Sequence, residues 1–185
     1  ALAIDSILPA FPALGAAFDV ASANDRQFVI SSYLMGMGIG SLFYGPIGDQ
    51  VGRKPVLLSS LVFYVIFGGA CAFAPDFRTL LLLRFAQGFA AAAMGVLVVS
   101  VIRDIFSGDR MASFMSIIFI VFMAVPVLAP TVGQLILYFA QWQFIFILLS
   151  AMGTAVGVWV WLRLPETLRP ENVIPIRLDT IGSTW

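Results

Sequence analysis

Long apolar runs separated by short polar segments dominate this chain. A membrane-spanning helix needs about 20 largely apolar residues to cross roughly 30 Å of hydrocarbon. Five runs reach that length, and a shorter sixth run opens the sequence. We therefore predict an all-α membrane protein with six transmembrane helices, of which the first is truncated. The predicted spans cover residues 1–14, 28–47, 55–74, 80–102, 111–139 and 144–164.

The composition narrows the class of protein further. Hydrophobic residues make up 61% of the 185 positions, charged residues 11%, and mean hydropathy is +1.00, values outside those of an ordinary soluble domain. The formal net charge of zero leaves no basic surface for nucleic acid. The lack of histidine and of any metal-ligand or nucleophile cluster disfavours a membrane-embedded enzyme. We expect no nucleic-acid partner, no metal site and no cofactor.

Basic residues near the span ends predict the orientation, because cytoplasmic loops of membrane proteins are enriched in Lys and Arg. Only Arg26 and Arg78 follow odd-numbered spans, whereas seven basic residues follow the even-numbered ones. Residues 1–164 are thus predicted to form a six-helix bundle, and residues 165–185 a cytoplasmic linker toward a second half. The seven residues are Arg53, Lys54, Arg103, Arg110, Arg163, Arg169 and Arg177.

Small residues recur at a spacing of four in two of the spans, which permits close helix contact in lipid. They are Ser32, Gly36 and Gly40 in the second span, and Gly88 and Ala92 in the fourth. We interpret them as packing residues.

The segment between the second and third spans, residues 45–55, carries three glycines and three charged residues. Its glycines permit a sharp turn, and Asp49 and Arg53 stand four residues apart, a spacing that pairs charges along a helix. The segment resembles the signature loop of the major facilitator superfamily, whose carriers combine two six-helix halves. The matching positions are Gly45, Asp49, Gly52, Arg53 and Lys54, and the departures are Ile47, Gly48 and Gln50.

Arg103 and Asp104, at the predicted inner end of the fourth span, can extend this segment into a charge network. The resemblance implies that such a network latches the outward-open state against the second half. A solvated anchor in the cytoplasm is the alternative, and we prefer it for Lys54 and Arg110. The implied conformational latch comprises Gly45, Asp49, Gly52, Arg53, Arg103 and Asp104.

Two ionisable residues lie within apolar runs, where a charge must face the protein interior or a water-filled cavity. Asp5 in the first span is a candidate proton carrier. Arg84 in the fourth span keeps its proton, so it needs a partner, a substrate or a route for snorkelling. Their distances from the span ends make an Asp5–Arg84 ion pair geometrically feasible, and Gln87 lies one turn away. The alternatives place Asp5 among lipid headgroups and let Arg84 snorkel to the surface.

The fourth span also extends the family resemblance. Arg84, Gln87 and Gly88 match the superfamily pattern of Arg, two residues and Gln-Gly. The resemblance implies that this arginine takes part in proton coupling.

The fifth span contains two prolines and a glycine within eight residues, Pro126, Pro130 and Gly133. They remove backbone hydrogen bonds and permit a bend at which a rocking helix can pivot, although a static kink is the alternative. The segment resembles the Gly-Pro-x-x-Gly element of drug:proton antiporters, with Ala129 replacing the first glycine.

Four segments together resemble the bicyclomycin-resistance branch of multidrug efflux antiporters: residues 3–10, 44–46, 84–88 and 102–104. The resemblance implies a secondary active transporter that exports amphipathic drugs in exchange for protons by alternating access. Its implied partners are a lipophilic or amphipathic small molecule, protons, the lipid bilayer and the second six-helix half. Its implied location is the bacterial inner membrane.

A proton-coupled or facilitative carrier of a polar solute, such as a sugar or an organic acid, is the alternative on the same fold. A hydrophilic cavity would need Asn, Gln and charged residues, of which the spans hold few. A receptor or scaffold without transport would leave Asp5, Arg84 and the prolines of the fifth span without a purpose.

Overall fold

A computed structural model describes residues 2–168, so Ala1 and most of the predicted linker, including Arg169 and Arg177, lie outside the described residues. Five helices are long and apolar enough to cross a membrane, and a shorter apolar segment precedes them. The predicted all-α membrane fold with a short first span is therefore confirmed. The helices are α1 Leu2–Asp5, a 3-10 turn Leu8–Ala10, α2 Phe11–Ala17, α3 Ala23–Arg26, α4 Phe28–Val51, α5 Arg53–Cys71, α6 Phe77–Ile105, α7 Gly108–Phe139 and α8 Gln143–Arg163.

The second to sixth predicted spans correspond to α4 to α8, but the first span is not the single helix that we predicted. α1 ends at Asp5, a 3-10 turn follows at Leu8–Ala10, and α2 begins directly after it. Pro9 and Pro12 lie in the first two positions of the turn and of α2. Proline lacks an N–H, so it suits a helix start and breaks a helix interior. The break leaves the carbonyls of α1 without a following helical turn to bind them.

The helices α4 and α6 pack with almost no space between their backbones. A Cβ atom at Gly36 of α4 would overlap the carbonyl oxygen of Phe85, and one at Gly88 of α6 would overlap the carbonyl oxygen of Tyr33. At Gly40 the added atom would lie 2.7 Å from the carbonyl oxygen of Phe89. The predicted small residues are therefore packing residues, and they let the helix that carries Arg84 lie directly against α4.

The remaining contacts divide the bundle into two apolar clusters. α6 contacts both α4 and α5, and α5 in turn contacts α8. The smaller cluster joins α5, α6 and α8 near Gly52, the residue between α4 and α5, and we call this end of the bundle the hinge end. The larger cluster joins the first span to α4, α6 and α8 through residues such as Leu14, Val29, Leu80 and Phe146.

The helix α7 lies at the side of the bundle and buries few side chains. Among its residues only Ala129 and Gly133 are buried in the described part of the chain. A Cβ atom at Gly133 would overlap the carbonyl oxygen of Ser6, so α7 meets the first span backbone to backbone. Most of the apolar surface of α7 therefore faces outward, which is expected of a helix that contacts lipid or a further part of a larger protein.

Candidate functional site

Arg84 is the most deeply buried charged side chain in the described residues, with 0% of its surface exposed. Its Nε donates a hydrogen bond to the carbonyl oxygen of Val29 at 3.3 Å, and its Nη2 donates to that of Ala3 at 2.8 Å. Its Nη1 donates to Oε1 of Gln87 at 2.7 Å. One guanidinium thus ties α6 to α4 and to α1, which excludes the alternative of an arginine that snorkels to the surface.

Aromatic rings complete the surroundings of the guanidinium. Its central carbon lies 4.4 Å from the ring centre of Tyr33 and 5.6 Å from that of Phe146. The negative face of an aromatic ring attracts a cation, and the attraction is stronger where water is excluded. The sequence gave no signal for these two rings, because the chain contains 17 phenylalanines and 4 tyrosines at many helix positions.

The Asp5–Arg84 ion pair is not formed in this structure. In residues 2–168 the ion pairs within 4.0 Å all involve Arg53. Asp5 is the last residue of α1 and is half-buried, and Arg84 binds the backbone two residues before it, at Ala3. The lone acid and the lone base therefore share the same short helix, but the base holds backbone oxygens instead of the carboxylate.

Gln87 lies beside Arg84 and is also fully buried. Its Oε1 accepts the bond from Arg84, whereas its Nε2 has no hydrogen-bond partner in the described residues. A Cβ atom at Gly68 would lie 2.6 Å from this Nε2 and 2.8 Å from Oγ of Ser150. Gly68 thus provides the space that a polar pair between α5, α6 and α8 occupies.

A cavity of about 610 Å³ lies between α4, α6 and α7, with Tyr33 in its wall. Its few polar groups include the hydroxyls of Tyr33 and Ser41, and the rest of the lining is mainly apolar. Methionine is common in surfaces that adapt to varied apolar ligands. The sulfur-containing and aromatic side chains of the wall are Met37, Met94, Met115, Phe119 and Phe122.

At the hinge end, the predicted loop 45–55 is almost entirely helical. α4 continues through Pro46 to Val51, and α5 begins at Arg53, so Gly52 alone connects the two helices. Gly52 has a φ of +114°, in the region that favours glycine. The turn is therefore tighter than the polar pattern of the sequence suggested.

The guanidinium of Arg53 lies between two carboxylates. It forms an ion pair with Asp49, one turn earlier in the chain, and its Nε donates to Oδ2 of Asp104 at 3.3 Å. The contact with Asp49 is a charge pair without the geometry of a directed hydrogen bond. Arg53 is only 8% exposed, and a Cβ atom at Gly48 would lie 3.2 Å from its Nη1. The glycine at position 48, which departs from the family pattern, thus makes room for this side chain.

Arg103 does not join this charge network in the structure. It is exposed and makes no ion pair or side-chain hydrogen bond among the described residues. Successive residues of an α-helix point about 100° apart, so Arg103 and Asp104 cannot both face Arg53. Asp104 takes that position, and we correct our expectation for Arg103.

Glu166, which our reading of the sequence missed, closes the hinge end. Its carboxylate accepts hydrogen bonds from the backbone N–H groups of Arg53 at 3.0 Å and Lys54 at 3.1 Å, the first two residues of α5. It also accepts from the N–H groups of Thr167 and Leu168, each at 2.9 Å. Burial raises the pKa of this carboxyl, but the backbone hydrogen bonds together outweigh burial and lower its pKa below the usual value.

The fifth-span residues lie in one uninterrupted helix. α7 runs through Pro126 and Pro130, and Gly133 lies against the first span, as described above. The backbone contact at Gly133 requires a residue without a Cβ atom. A pivot at the prolines remains a prediction.

Comparison with known proteins agrees with this geometry. The family model described as Major Facilitator Superfamily matches residues 1–179. The chain is 37% identical over 182 residues to a bicyclomycin resistance protein homolog of Haemophilus influenzae, over 98% of this chain and 46% of that protein. It is 36% identical over 172 residues to the multidrug resistance protein MdtL of Salmonella dublin, over 93% of this chain and 43% of that protein.

The human organic anion transporter TETRAN has a similar fold, with a TM-score of 0.71 at 19% identity, over 94% of this chain and 46% of that one. The chain spans about half the length of the curated relatives it matches. That proportion fits one six-helix half of a twelve-helix fold, and the resemblance drawn from the motifs is confirmed. The chain therefore belongs to the Major Facilitator Superfamily, and bicyclomycin- and multidrug-resistance proteins are among its relatives.

Proposed function

We propose that this chain forms one half of a secondary active transporter that exports amphipathic drugs in exchange for protons. The observation that carries the proposal is the fully buried Arg84, which has no carboxylate partner and binds the short helix that carries Asp5. A buried charge without a counter-charge is costly unless the protein uses it. The multidrug-resistance names of two relatives support a drug as the exported substrate.

Proton coupling follows from the position of the two groups. Asp5 is half-buried and Arg84 lies within the same group of helices. When a movement of the first span brings the carboxylate to the guanidinium, the charged form of Asp5 is favoured and its proton is released. When the two separate, Asp5 takes up a proton again. Release toward the cytoplasm and uptake from outside would drive export.

The cavity favours an amphipathic substrate over a polar nutrient. Its wall is mainly apolar and includes three methionines and two phenylalanines. A sugar or an organic acid would leave most of its hydrogen-bonding groups unpaired against such a surface, which is unfavourable. The polar-solute carrier stays the alternative, and a panel of sugars and organic acids in the same assay separates the two.

The contacts at the hinge end supply the conformational latch. The Asp49–Arg53–Asp104 group holds α4, α5 and α6 together where the chain turns at Gly52. Weakening such a group shifts a balance between two states without removing the binding site. The second six-helix half, against which the outward faces of α4 and α7 would pack, completes the transporter in the bacterial inner membrane.

The test is Asp5→Asn in the transporter assembled from both halves. We expect it to abolish proton-driven ethidium export in inverted membrane vesicles, because the amide cannot carry the proton, while ethidium binding stays within a few-fold. Asp19→Asn is the matched control, since Asp19 is exposed, and asparagine tolerates its positive φ of 53°. Export by the Asp5 variant at the rate of the Asp19 variant would remove Asp5 from the mechanism.

A further inference from the structure

The carboxylate of Glu166 connects two segments that lie far apart in the sequence. It accepts two backbone N–H groups from the start of α5 and two from its own segment after α8. The two segments are 113 residues apart between Arg53 and Glu166. A single carboxylate therefore joins the end of the last described helix to the helix that carries Arg53.

The beginning of α5 has no other side chain to satisfy its N–H groups. Gly52 is the N-cap residue and carries no side chain, and no side-chain cap bond comes from it. The first N–H groups of a helix need acceptors, and a negative charge there also interacts favourably with the helix dipole. Glu166 provides the acceptor and the charge from a distant segment.

A second contact ties the segment after α8 to the charge network. The hydroxyl of Thr167 donates to Oδ2 of Asp104 at 3.3 Å, the same oxygen that accepts from Nε of Arg53. The Nζ of Lys54 donates to the carbonyl oxygen of Trp161 at 2.9 Å, near the end of α8. Three helices and the segment that follows α8 thus meet around Arg53.

The hinge itself leaves no spare room around this carboxylate. A Cβ atom at Gly52 would lie 2.8 Å from Oε2 of Glu166, closer than such atoms approach in proteins. Glycine at position 52 therefore serves two needs, a positive φ and the seat of the Glu166 carboxylate.

We propose that Glu166 is a positioning residue of the latch. By fixing the first turn of α5, it holds the Arg53 guanidinium between Asp49 and Asp104, and it makes the end of α8 move together with the hinge. The proposal rests on the proposed function, in which that charge group sets the balance between the two states of the transporter. A helix cap without this role would stabilise α5 and leave the balance unchanged.

The test compares Glu166→Gln with Asp109→Asn in the transporter assembled from both halves. Glutamine keeps the size of the side chain but loses the charge and one acceptor oxygen. Asp109 is an exposed carboxylate in the first turn of α7, at the same end of the bundle. Amide hydrogen exchange in peptides covering residues 52–56 reports the cap, and spin-label distances between the hinge ends of the two halves report the conformational balance.

We expect the Glu166 variant to exchange the amides of Arg53 and Lys54 at least about tenfold faster than the control. We also expect the population with separated hinge ends to rise about fivefold, with ethidium affinity within about twofold. Faster exchange with an unchanged population would show a simple cap and overturn the proposal. Unchanged exchange would overturn it as well.

A second variant keeps the proposal testable if Glu166→Gln fails to fold. Thr167→Val preserves shape and removes only the bond to Asp104, so a smaller shift of the population in the same direction is expected. Combining each variant with Asp104→Asn should give less than the sum of the two shifts, because both act through Arg53. Additive shifts would contradict the proposal, whereas a wild-type protein that exports no drug would contradict the proposed function instead.

Discussion

Gly52 joins α4 to α5 with a φ of +114° and a ψ of 150°, a conformation that residues with a Cβ atom rarely adopt. Gly45 belongs to the same family motif, but it lies inside α4 with helical neighbours. A Cβ atom there would meet only Cγ1 of Val96 at 3.8 Å, an ordinary contact. The motif therefore contains one glycine that the backbone requires and one that it does not.

We expect Gly52→Ala to lower the free energy of unfolding by about 1–3 kcal/mol, from backbone strain and from contact with Glu166. Gly45→Ala is the matched control, and we expect it to raise stability by about 0.5–1 kcal/mol, because alanine favours a helix interior. Thermal unfolding in detergent measures both. Equal effects of the two substitutions would contradict the distinction.

The charged residues show what spacing predicts and what it misses. Asp49 and Arg53 were expected to pair from their separation of four, and the structure brings them together even though Gly52 interrupts the helix. Arg103 was placed in the same group because of its proximity in sequence to Asp104, but neighbouring residues on a helix face different directions. Glu166 was missed because no local pattern links it to a helix start more than a hundred residues earlier.

At the scale of the helix, the start of α5 depends on a charge that acid removes. The pKa of Glu166 is lowered in the folded protein, so its ionised form adds stability at any pH above its unfolded-state pKa of about 4.3. That contribution is lost as the pH falls from there through the lower folded-state pKa.

We therefore expect the wild type to lose more stability than Glu166→Gln as the pH is lowered from about 5 to about 3. Asp49 and Asp104, the other carboxylates around Arg53 and Lys54, titrate in both proteins, so the difference isolates Glu166. Thermal unfolding across this range measures it. Parallel pH profiles for the two proteins would exclude a folded-state role for the Glu166 charge.

The close contact of α4 with α6 is a second property of whole helices. A Cβ atom at Gly88 would overlap the carbonyl oxygen of Tyr33, whereas one at Gly95 in the same helix would meet nothing within 4 Å. We expect Gly88→Ala to destabilise the protein by about 1–3 kcal/mol, because the helices must separate. Gly95→Ala should be neutral or slightly stabilising. Thermal unfolding of the two variants compares them directly, and equal stability would contradict this packing.

The first span shows where a helix prediction fails. Its apolar run predicted one helix, yet Pro9 and Pro12 divide it into α1, a 3-10 turn and α2. Hydropathy detects a segment that belongs in a membrane, but it does not detect breaks in the backbone. The two prolines near the end of the run were the available signal.

At the scale of the whole molecule, the long apolar runs were sufficient to predict the number and order of the spans. The neighbours of each span were not predictable, because every face of these helices is apolar and periodicity does not separate lipid contact from helix contact. The surroundings of Arg84 therefore came only from the structure. They include two aromatic rings and two backbone oxygens that belong to other helices.

The use of main-chain oxygens by Arg84 has a consequence for how this protein tolerates change. Ala3 and Val29 present their carbonyl groups whatever side chains stand there, so replacing either residue leaves the acceptor in place. Loss of the arginine, in contrast, releases three separate helices in one step. Second-site revertants of an Arg84 defect should accordingly arise where side chains surround the lost cation, at Tyr33, Gln87 or Phe146, and not at the two positions that accepted its hydrogen bonds.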